Sequence, residues 1–343
     1  MRAAVFHGPF DITADNVPDP QIKAPHEVIV KVLAGAVCGS DLWTYRGESS
    51  AALESRIGHE FVGEIVAVGT GVEKLKVGDV AIAPFRYSDG ECPACKSGWP
   101  SSCAHGGFWG WDSDGGQGEY VRVPYAQATL VKLDEAPDAA ALPDLLTLAD
   151  VMSTGMHAAT SARVAPGDTA VVVGDGAVGL CAVIAAKLRG AGRIIVFGGK
   201  HPDRQALARQ FGADEVHSAR GPEATNTLKG STGGIGADVV LECVGSAASF
   251  ETALTLARPG GRLAYVGLPH GVVIDVAKLF RTNVSVSGGL CPARRYIEPL
   301  LPEVLGGGIH PGRVFTTRLP LADIAEAYRQ MDKRETIKVL VTP

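Results

Sequence analysis

The sequence predicts a two-domain α/β protein, in which a β-rich region precedes a doubly wound parallel sheet. Residues 1 to about 147 contain short strands punctuated by Gly and Pro, whereas strands and helices alternate from about residue 148. The chain has 343 residues, enough for two hydrophobic cores. The apolar strand Ala170–Val173 runs into a Gly-x-Gly-x-x-Gly turn and then an apolar helical pattern. These observations together predict a dinucleotide-binding domain.

Each glycine of that turn has its own predicted role. Gly174 permits the tight turn off the strand, Gly176 lets the backbone approach a pyrophosphate, and Gly179 lets the helix pack closely on the strand. Ala177 and Val178 begin the helix, whose unpaired N–H groups attract phosphate. A lone motif of this kind also occurs in ordinary Gly-rich turns. Here a strand precedes it, and a helix and a second strand follow, which favours the binding role.

Both regions contain several further predicted elements. In the β-rich region, strands are predicted over Val28–Val32, Phe61–Val68, Asp79–Ala83, Tyr120–Val123 and Thr129–Val131. In the alternating region, helices are predicted over Asp150–Ser161, Pro202–Phe211 and Phe250–Ala257, and strands over Arg193–Phe197, Asp214–His217, Asp238–Cys243, Arg262–Val266 and Asn283–Ser287. Helices are expected over Pro292–Leu305 and Leu321–Met331, and the final strand Ile337–Val341 is expected to rejoin the β-rich region.

Composition and charge argue against several functional classes. Hydrophobic residues make up 46% of the chain, charged residues 20%, and the formal net charge is -5. Because no block of Lys or Arg occurs, neither nucleic acid nor a membrane is expected as a partner. The N-terminus lacks the apolar segment of a signal peptide, so a cytoplasmic location is expected. The seven cysteines are interpreted as thiols or metal ligands.

The residues after the second strand bear on the choice of coenzyme. Folds that prefer NAD usually carry Asp or Glu about 20 residues past the glycines, on the ribose 2′-hydroxyl. Gly198 and Gly199 stand at that point, and Lys200 and Arg204 offer positive charge to a 2′-phosphate. NADP(H) is therefore favoured over NAD(H). The alternative is that both cations are solvated and that Asp203 reaches the ribose.

Three separate segments carry side chains that bind transition metals. They contribute Cys38, His59 with Glu60, and Asp150. A Cys, a His and a carboxylate suit a catalytic zinc site with three protein ligands and an open fourth position. Because the segments lie far apart in sequence, their spacing alone is a weak indication.

In their order and spacing, the motifs of the chain resemble those of zinc-dependent medium-chain alcohol dehydrogenases over nearly the whole length. The matching motifs are Val37–Asp41 with Tyr45–Gly47, Gly58–Glu60, Val77–Asp79, Gly118–Tyr120, Thr154–Gly155 and Gly174–Gly179. The resemblance implies a GroES-like catalytic domain of residues 1–147 and 290–343, and a Rossmann NADP-binding domain of residues 148–289. It also implies an alcohol or carbonyl substrate and a homodimer or homotetramer.

The resemblance gives the metal residues specific roles. Cys38, His59 and Asp150 would bind catalytic zinc, and Glu60 would lie next to the ion. Asp150 replaces the more common Cys, which is similar to bacterial NADP-dependent secondary alcohol dehydrogenases. Asp41 would orient the ligating His from behind.

Other residues are placed around the reacting groups by the same resemblance. Ser40 would be the first proton-relay hydroxyl, Thr154 would touch the nicotinamide, and the backbone of Val266 and Gly267 would hold its carboxamide. Many members carry a relay His where this chain has Trp43. Because Trp cannot carry a proton, the relay would pass through water, the ribose or another group.

Two further positions are interpreted with the help of the family. Lys338 matches a basic residue near the metal. Trp109 lies in a Gly-rich stretch that reaches the substrate cleft in the family, and it either lines that cleft or simply packs the loop.

A second metal site is indicated by a cysteine-rich segment. Asp89, Cys92, Cys95 and Cys103 have the spacing of the family's structural zinc lobe, with Asp in place of the first Cys. A site with three Cys and one Asp is chemically reasonable for zinc. The alternatives are that His105 supplies the fourth ligand, or that the lobe has lost zinc and keeps three thiols.

The predicted reaction is hydride transfer between an alcohol and NADP(H), with zinc lowering the pKa of the alcohol. A polyol or amino-alcohol dehydrogenase that uses NAD is an alternative on the same scaffold. A zinc-free quinone or enoyl reductase is a further alternative, against which Cys38, His59 and Asp150 all argue. A protein that binds NADPH without catalysis is the remaining one.

Overall fold

The strand Lys338–Thr342 joins the β-rich part of the chain, as predicted. In the computed structural model, which describes residues 1–49 and 52–343, it pairs antiparallel with Val28–Val37 and parallel with Phe315–Pro320. The described chain divides into two compact units, Met1–Asp150 with Pro292–Pro343, and Val151–Cys291. These divisions fall a few residues after those predicted, so that Asp150 belongs to the first unit.

The first unit is mainly β-structure. Its described strands are Arg2–Gly8, Asp11–Asn16, Val28–Val37, Ser55–Arg56, Glu60–Val68, Val80–Ala83, Arg86–Tyr87, Gly107–Phe108, Tyr120–Val123, Val131–Lys132, Phe315–Pro320 and Lys338–Thr342. Its α-helices are Asp41–Tyr45, Pro93–Lys96, Ala126–Thr129, Leu142–Thr147, Arg294–Leu305 and Ile324–Asp332. Short 3-10 turns cover Pro100–Ser102, Pro311–Val314 and Leu321–Asp323.

The central sheet of this unit is built on Val28–Val37, which pairs with three other strands. Val28, Val30 and Val32 enter a hydrophobic cluster with Phe61 and Trp109, and Val37 enters a second cluster with Tyr328. In the pairing with Glu60–Val68, Ala36 lies opposite Glu60. This register places the residues just beyond each strand side by side.

The second unit contains the doubly wound parallel sheet that the sequence predicts. Its strands run in the order Glu215–His217, Arg193–Phe197, Thr169–Val173, Ala237–Glu242, Ala257–Tyr265 and Ser285–Gly288, all parallel. Its helices are Val151–Ser161, Ala177–Leu188, Pro202–Phe211, Gly221–Ser231, Ala247–Leu256 and Val276–Thr282. Buried β-branched and apolar side chains fill both faces of the central strands, as parallel sheets require. None of the helices in the described residues is long and apolar enough to cross a membrane.

Several predicted boundaries were wrong for local physical reasons. The helix predicted over Phe250–Ala257 begins at Ala247, because the Ser246 hydroxyl accepts the Ser249 N–H and caps it. Ala257 instead starts a strand. The strand predicted from Asn283 begins at Ser285, since Asn283 ends a helix with φ 52°.

Other differences concern the first unit. Thr129, predicted to begin a strand, ends the helix Ala126–Thr129. Its hydroxyl accepts a hydrogen bond from the Ser88 N–H (3.2 Å) and fixes that short helix. The hairpin of Arg2–Gly8 and Asp11–Asn16 was not predicted at all.

Candidate functional site

Two adjacent strands of the first unit bring Cys38 and His59 together. Val28–Val37 ends just before Cys38, and Glu60–Val68 begins just after His59. Gly58 has φ +93°, and a Cβ there would lie 2.3 Å from Gln117 Cγ. Only glycine therefore fits the turn that presents His59.

Cys38, His59, Glu60 and Asp150 converge in one buried group. A ligand atom from each lies within 4.8 Å of the other three. The Cys38 Sγ and the His59 Nε2 lie 3.5 Å and 3.4 Å from the same oxygen, Asp150 Oδ2. Asp150 stands just before the helix Val151–Ser161. The sequence-predicted metal residues are thus neighbours in space.

The donor chemistry of this group fits a zinc ion. Thiolate sulfur, imidazole nitrogen and carboxylate oxygen are all accepted zinc ligands. Although Asp41 Oδ1 lies 3.0 Å from His59 Nδ1, neither nitrogen of His59 has a partner with hydrogen-bond angles among the described residues, and neither has Glu60 Oε2. Buried polar atoms rarely lack partners, so a cation bound here would satisfy His59 Nε2 and Glu60 Oε2, while His59 Nδ1 faces Asp41.

The pKa values of these side chains also bear on whether the group binds a cation. Burial raises the pKa of the Cys38 thiol, and it raises the pKa of the Glu60 carboxyl even with Lys338 beside it. Burial by itself would lower the pKa of His59, but the charges of Asp41 and Cys38 outweigh it and hold that pKa well above its usual value. A cation bound among these groups would favour the ionised forms of Cys38 and Glu60 and so offset the effect of burial.

The residues behind the ligands are held by a hydrogen-bond network. Asp41 Oδ2 accepts the Cys38 N–H at 2.9 Å. The Gln117 Nε2 donates to the Ala36 carbonyl at 2.9 Å, and the Tyr328 hydroxyl donates to Gln117 Oε1 at 3.0 Å. Sequence reasoning found Asp41 but missed Gln117 and Tyr328. The position of Gln117 directly before the Gly118–Tyr120 motif was the available signal.

Lys338 is fully buried beside the group. Its Nζ lies 2.6 Å from Glu60 Oε1 and donates to the Val37 carbonyl at 3.1 Å. Burial alone would lower the pKa of Lys338, but the charge of Glu60 outweighs it, so the pKa stands above its usual value. The side chain therefore contributes a fixed positive charge.

Ser40 and the nearby aromatic residues lie around the same strand ends. Ser40 is partly exposed and immediately precedes the short helix Asp41–Tyr45, which contains Trp43. The Phe108 ring approaches the His59 ring edge-on, with centroids 5.1 Å apart. Trp109 is fully buried, and its Nε1 donates to the Pro84 carbonyl at 2.7 Å. Of the two interpretations of Trp109, this burial favours packing.

The cysteine-rich segment forms a second potential metal group in the first unit. Ligand atoms of Asp89, Cys92, Cys95 and Cys103 all lie within 4.8 Å of one another. The N–H groups of Glu91 and Cys92 donate to Asp89 Oδ1, and these bonds hold the pKa of the Asp89 carboxyl far below its usual value. Burial raises the pKa of Cys95 to about 12.

His105 lies beside this lobe and not within it. Its Nδ1 lies 2.6 Å from Asp89 Oδ2, and 65% of its side chain is exposed. It partners the Asp carboxylate, an arrangement that commonly orients a metal ligand. The geometry therefore favours Asp89 over His105 as the fourth donor.

The Gly-rich turn of the second unit has three distinct local geometries. Gly174 has φ +116°, which favours glycine. A Cβ on Gly179 would lie 2.2 Å from the Gly174 carbonyl oxygen, so this contact needs a glycine. Gly176 precedes the helix Ala177–Leu188 and faces open space, which leaves the backbone accessible. Ala177 and Val178 are partly exposed at the helix start.

The end of the second strand is occupied by a carboxylate that sequence reasoning missed. The Gly199 N–H donates to Asp175 Oδ2 at 2.7 Å. Arg204 Nη1 lies 4.0 Å from Asp175 Oδ1, whereas Lys200 is exposed. An acidic residue inside the glycine motif, combined with Gly198 at the strand end, was the available signal.

The remaining predicted coenzyme residues also lie in the second unit. Thr154 is buried in the helix Val151–Ser161. The Val266 N–H donates to the Glu242 carbonyl at 2.9 Å, and a Cβ on Gly267 would lie 2.2 Å from the Gly245 nitrogen. The buried Glu242 carboxylate accepts the Val244 and Gly245 N–H groups at 2.9 Å each and so fixes this turn.

Known domain families match both the β-rich part and the parallel-sheet part of the chain. The alcohol dehydrogenase GroES-like domain matches residues 24–135, and the zinc-binding dehydrogenase domain matches residues 177–305. Zinc-type alcohol dehydrogenase B of Aspergillus flavus is 35% identical over 99% of this chain and 81% of its own length. Sorbitol dehydrogenase of Bacillus subtilis is 34% identical over 100% of this chain and 97% of its own.

The solved structures agree with the sequence matches. The alcohol dehydrogenase TADH from Thermus sp. ATN1 superposes with a TM-score of 0.92 and 31% identity, and the match covers 100% of this chain and 99% of that one. Enzymes of this kind use zinc and a nicotinamide cofactor to transfer hydride between an alcohol and a carbonyl compound. With its GroES-like and parallel-sheet units and its matches to both domains, the chain belongs to the zinc-dependent medium-chain alcohol dehydrogenase family.

Proposed function

We propose that the chain oxidises an alcohol to the matching aldehyde or ketone, and reverses the reaction, with zinc held by Cys38, His59 and Asp150 and with Glu60 beside it. The buried convergence of these four side chains is the observation that carries the proposal. When bound at these residues, zinc would supply Lewis-acid chemistry, which lowers the pKa of an alcohol and polarises a carbonyl.

The surrounding residues keep the ligands in place and transfer the proton of the alcohol. Asp41 fixes the Cys38 backbone and lies against His59, while Lys338 balances the charge of Glu60. The Ser40 hydroxyl accepts the proton of the alcohol as it passes its own proton on, and the transfers run the other way in the reverse reaction. Because Trp43 cannot relay a proton, the path continues through water, the ribose or another group.

The nicotinamide coenzyme, whose chemistry is hydride transfer, is proposed to bind along the second unit. Gly174, Gly176, Ala177, Val178 and Gly179 form its pyrophosphate site, and Thr154, Val266 and Gly267 its nicotinamide site. NADP(H) is preferred over NAD(H) because Gly198 and Gly199 replace the usual acid and because Lys200 and Arg204 supply positive charge. The carboxylate of Asp175 acts against that preference.

The lobe formed by Asp89, Cys92, Cys95 and Cys103 is proposed to hold a structural zinc ion. Four soft or carboxylate donors in one closed group are typical of such sites. Loss of this metal is expected to loosen the lobe without stopping hydride transfer.

A polyol dehydrogenase is the second candidate. The 34% identity to sorbitol dehydrogenase of Bacillus subtilis favours it, since both chains match over nearly their full lengths. Initial rates with simple secondary alcohols and with sorbitol, each with NAD and with NADP, distinguish the two. A zinc-free reductase needs none of the buried ligands, so Cys38, His59 and Asp150 weigh against that alternative.

A homodimer or homotetramer is proposed for the assembled enzyme. Among the described residues, Ser285–Gly288 is the outermost strand of its sheet and has one unpaired edge. Val273 and Phe280 nearby are 88% and 84% exposed. Light scattering after size-exclusion chromatography tests this, and Phe280→Asp is expected to lower the molar mass of the assembly. A monomeric wild-type chain would contradict the proposal.

The zinc content of the wild type and of Cys38→Ala is the decisive measurement. Elemental analysis should find that Cys38→Ala loses about one zinc per chain, and steady-state alcohol oxidation should fall by about 10²-fold or more. Cys291→Ala, which removes a buried thiol outside both metal groups, serves as the matched control and should keep both zinc and activity. Equal zinc contents in Cys38→Ala and the control, or full turnover in Cys38→Ala, would reject the zinc mechanism.

A further inference from the structure

The carboxylate of Asp175 lies over the end of the second strand. Its Oδ2 accepts the Gly199 N–H at 2.7 Å. A Cβ added to Gly198 would lie 2.7 Å from Asp175 Cβ and 2.9 Å from its Oδ2. Position 198 is therefore glycine because Asp175 already fills the space that a side chain there would take.

In this arrangement the acidic group comes from the Gly-rich turn and not from the end of the second strand. In folds of this type, the acid that binds the ribose 2′-hydroxyl normally stands at the end of the second strand. Here an acid at position 198 and the acid at Asp175 exclude each other sterically. The chain keeps a carboxylate at this place, but supplies it from the middle of the Gly-rich turn.

The same carboxylate engages the groups that would bind a 2′-phosphate. It already accepts the Gly199 N–H. Arg204 Nη1 lies 4.0 Å from its Oδ1 and 3.5 Å from the Asp175 carbonyl oxygen, and both side chains are largely buried. Lys200 is exposed. A phosphate at this place would meet a negative charge and would compete for a guanidinium that is already partnered.

We propose that Asp175 is the coenzyme-specificity residue of this enzyme. Its carboxylate accepts a hydrogen bond from the ribose 2′-hydroxyl of NAD(H) and opposes the 2′-phosphate of NADP(H). It thereby lowers the ratio of NADPH affinity to NADH affinity that Lys200 and Arg204 would otherwise produce. This inference rests on the proposed function, since it concerns the coenzyme of that reaction.

Coenzyme binding without alcohol tests the inference directly. The dissociation constants of NADH and NADPH are measured by nucleotide fluorescence on the zinc-loaded, full-length wild type and on Asp175→Asn and Asp175→Ala. Asp175→Asn keeps an oxygen acceptor for Gly199 and removes only the charge. The ratio of NADPH affinity to NADH affinity should rise about tenfold or more in both variants, because a like charge is removed from beside the phosphate. Adding Arg204→Gln to Asp175→Asn should bring the ratio back down.

The same titration of Asp203→Asn tests the alternative that Asp203, and not Asp175, reaches the ribose. Asp203 is exposed in the next helix, and its replacement should change the ratio by less than about twofold. A ratio that moves in Asp203→Asn but not in Asp175→Asn would overturn the proposal. An unchanged ratio in both Asp175 variants, with both coenzymes still bound, would overturn it too. If the wild type bound neither coenzyme, the proposed dehydrogenase function itself would fail.

Discussion

The Lys338 ammonium lies 2.6 Å from a carboxylate oxygen of Glu60, and solvent reaches neither side chain. The two residues come from different strands of the central sheet, on either side of Val28–Val37. Removing one partner of a buried ion pair leaves the other charge uncompensated, which costs far more than losing an exposed pair.

Lys338→Met should therefore destabilise the first unit severely. We expect a loss of about 3–5 kcal/mol, seen as a lower midpoint in calorimetry of the metal-free protein. Lys132→Met is the matched control: it breaks the pair with Asp79 from the side of a lysine that is 37% exposed, and a loss of at most about 1 kcal/mol is expected. The double variant Glu60→Gln with Lys338→Met should recover part of the loss. Equal midpoints for Lys338→Met and Lys132→Met would contradict the prediction.

The cysteine-rich lobe is predicted to hold zinc through its four donor side chains. Cys103→Ala should lose about one zinc per chain by elemental analysis while alcohol oxidation remains within about threefold of wild type, because this metal is structural. Asp89→Cys creates four sulfur donors and should retain the ion more firmly against a chelator. If Cys103→Ala carried the same amount of zinc as the wild type, the lobe would not be a metal site.

Asp238 is predicted to make the second unit sensitive to acid. Burial by itself would raise the pKa of this carboxyl, but the hydrogen bonds from Arg258 (2.7 Å) and the Thr169 N–H (2.8 Å) outweigh it and lower the pKa. A carboxyl whose pKa is lowered on folding stabilises above its unfolded pKa of about 3.9, and this stability is lost as the pH falls through the folded value.

Asp238→Asn should accordingly be less stable than the wild type at pH 7, and the difference in thermal midpoint should shrink below about pH 4. Glu251→Gln, which removes an exposed carboxylate from a helix of the same unit, should show little difference at any pH. A gap between Asp238→Asn and wild type that stays constant from pH 7 to pH 3 would refute the linkage.

Trp109 is predicted to matter for stability and not for substrate choice. Trp109→Ala should cost about 3–5 kcal/mol, because a fully buried indole is replaced by a cavity and its hydrogen bond to Pro84 is lost. Trp111→Ala, at an indole that is 46% exposed, should cost about 1 kcal/mol or less. A change in the ranking of alcohols by kcat/KM with an unchanged melting midpoint in Trp109→Phe would show that Trp109 lines the substrate site instead.

The parts of the site that the sequence predicted well are those in which one residue type is required by local geometry. Gly174 and Gly179 of the Gly-rich turn each meet a steric demand that a Cβ would violate, whereas Gly176 faces open space. The strand Arg193–Phe197 and the helix Pro202–Phe211 have the predicted bounds. The strand is apolar from its second residue to its end, and the helix has Pro at its first turn and Gly after its last.

Other parts depend on contacts between distant segments, which no local pattern reveals. The residue types gave only a weak indication for Asp150, and its role as a ligand came from the family resemblance. The contact of Asp175 with Gly198 and Gly199 joins two loops about 24 residues apart, and the usual motif assigns no role to the second residue of the glycine turn. Thr129 was misplaced because its hydroxyl bonds to Ser88, far away in the sequence.

The interrupted first unit has a consequence for how the chain folds as it is synthesised. Val151–Cys291 is continuous, so this unit can close on the ribosome while later codons are still being read. The sheet that carries Cys38 and His59 lacks the strand Lys338–Thr342 until the ribosome has translated the whole intervening unit. During that interval the Glu60 carboxylate lacks its partner Lys338. The unit that carries the candidate metal ligands is therefore the last to be completed. A nascent chain stalled before Lys338 would expose an open edge of this sheet.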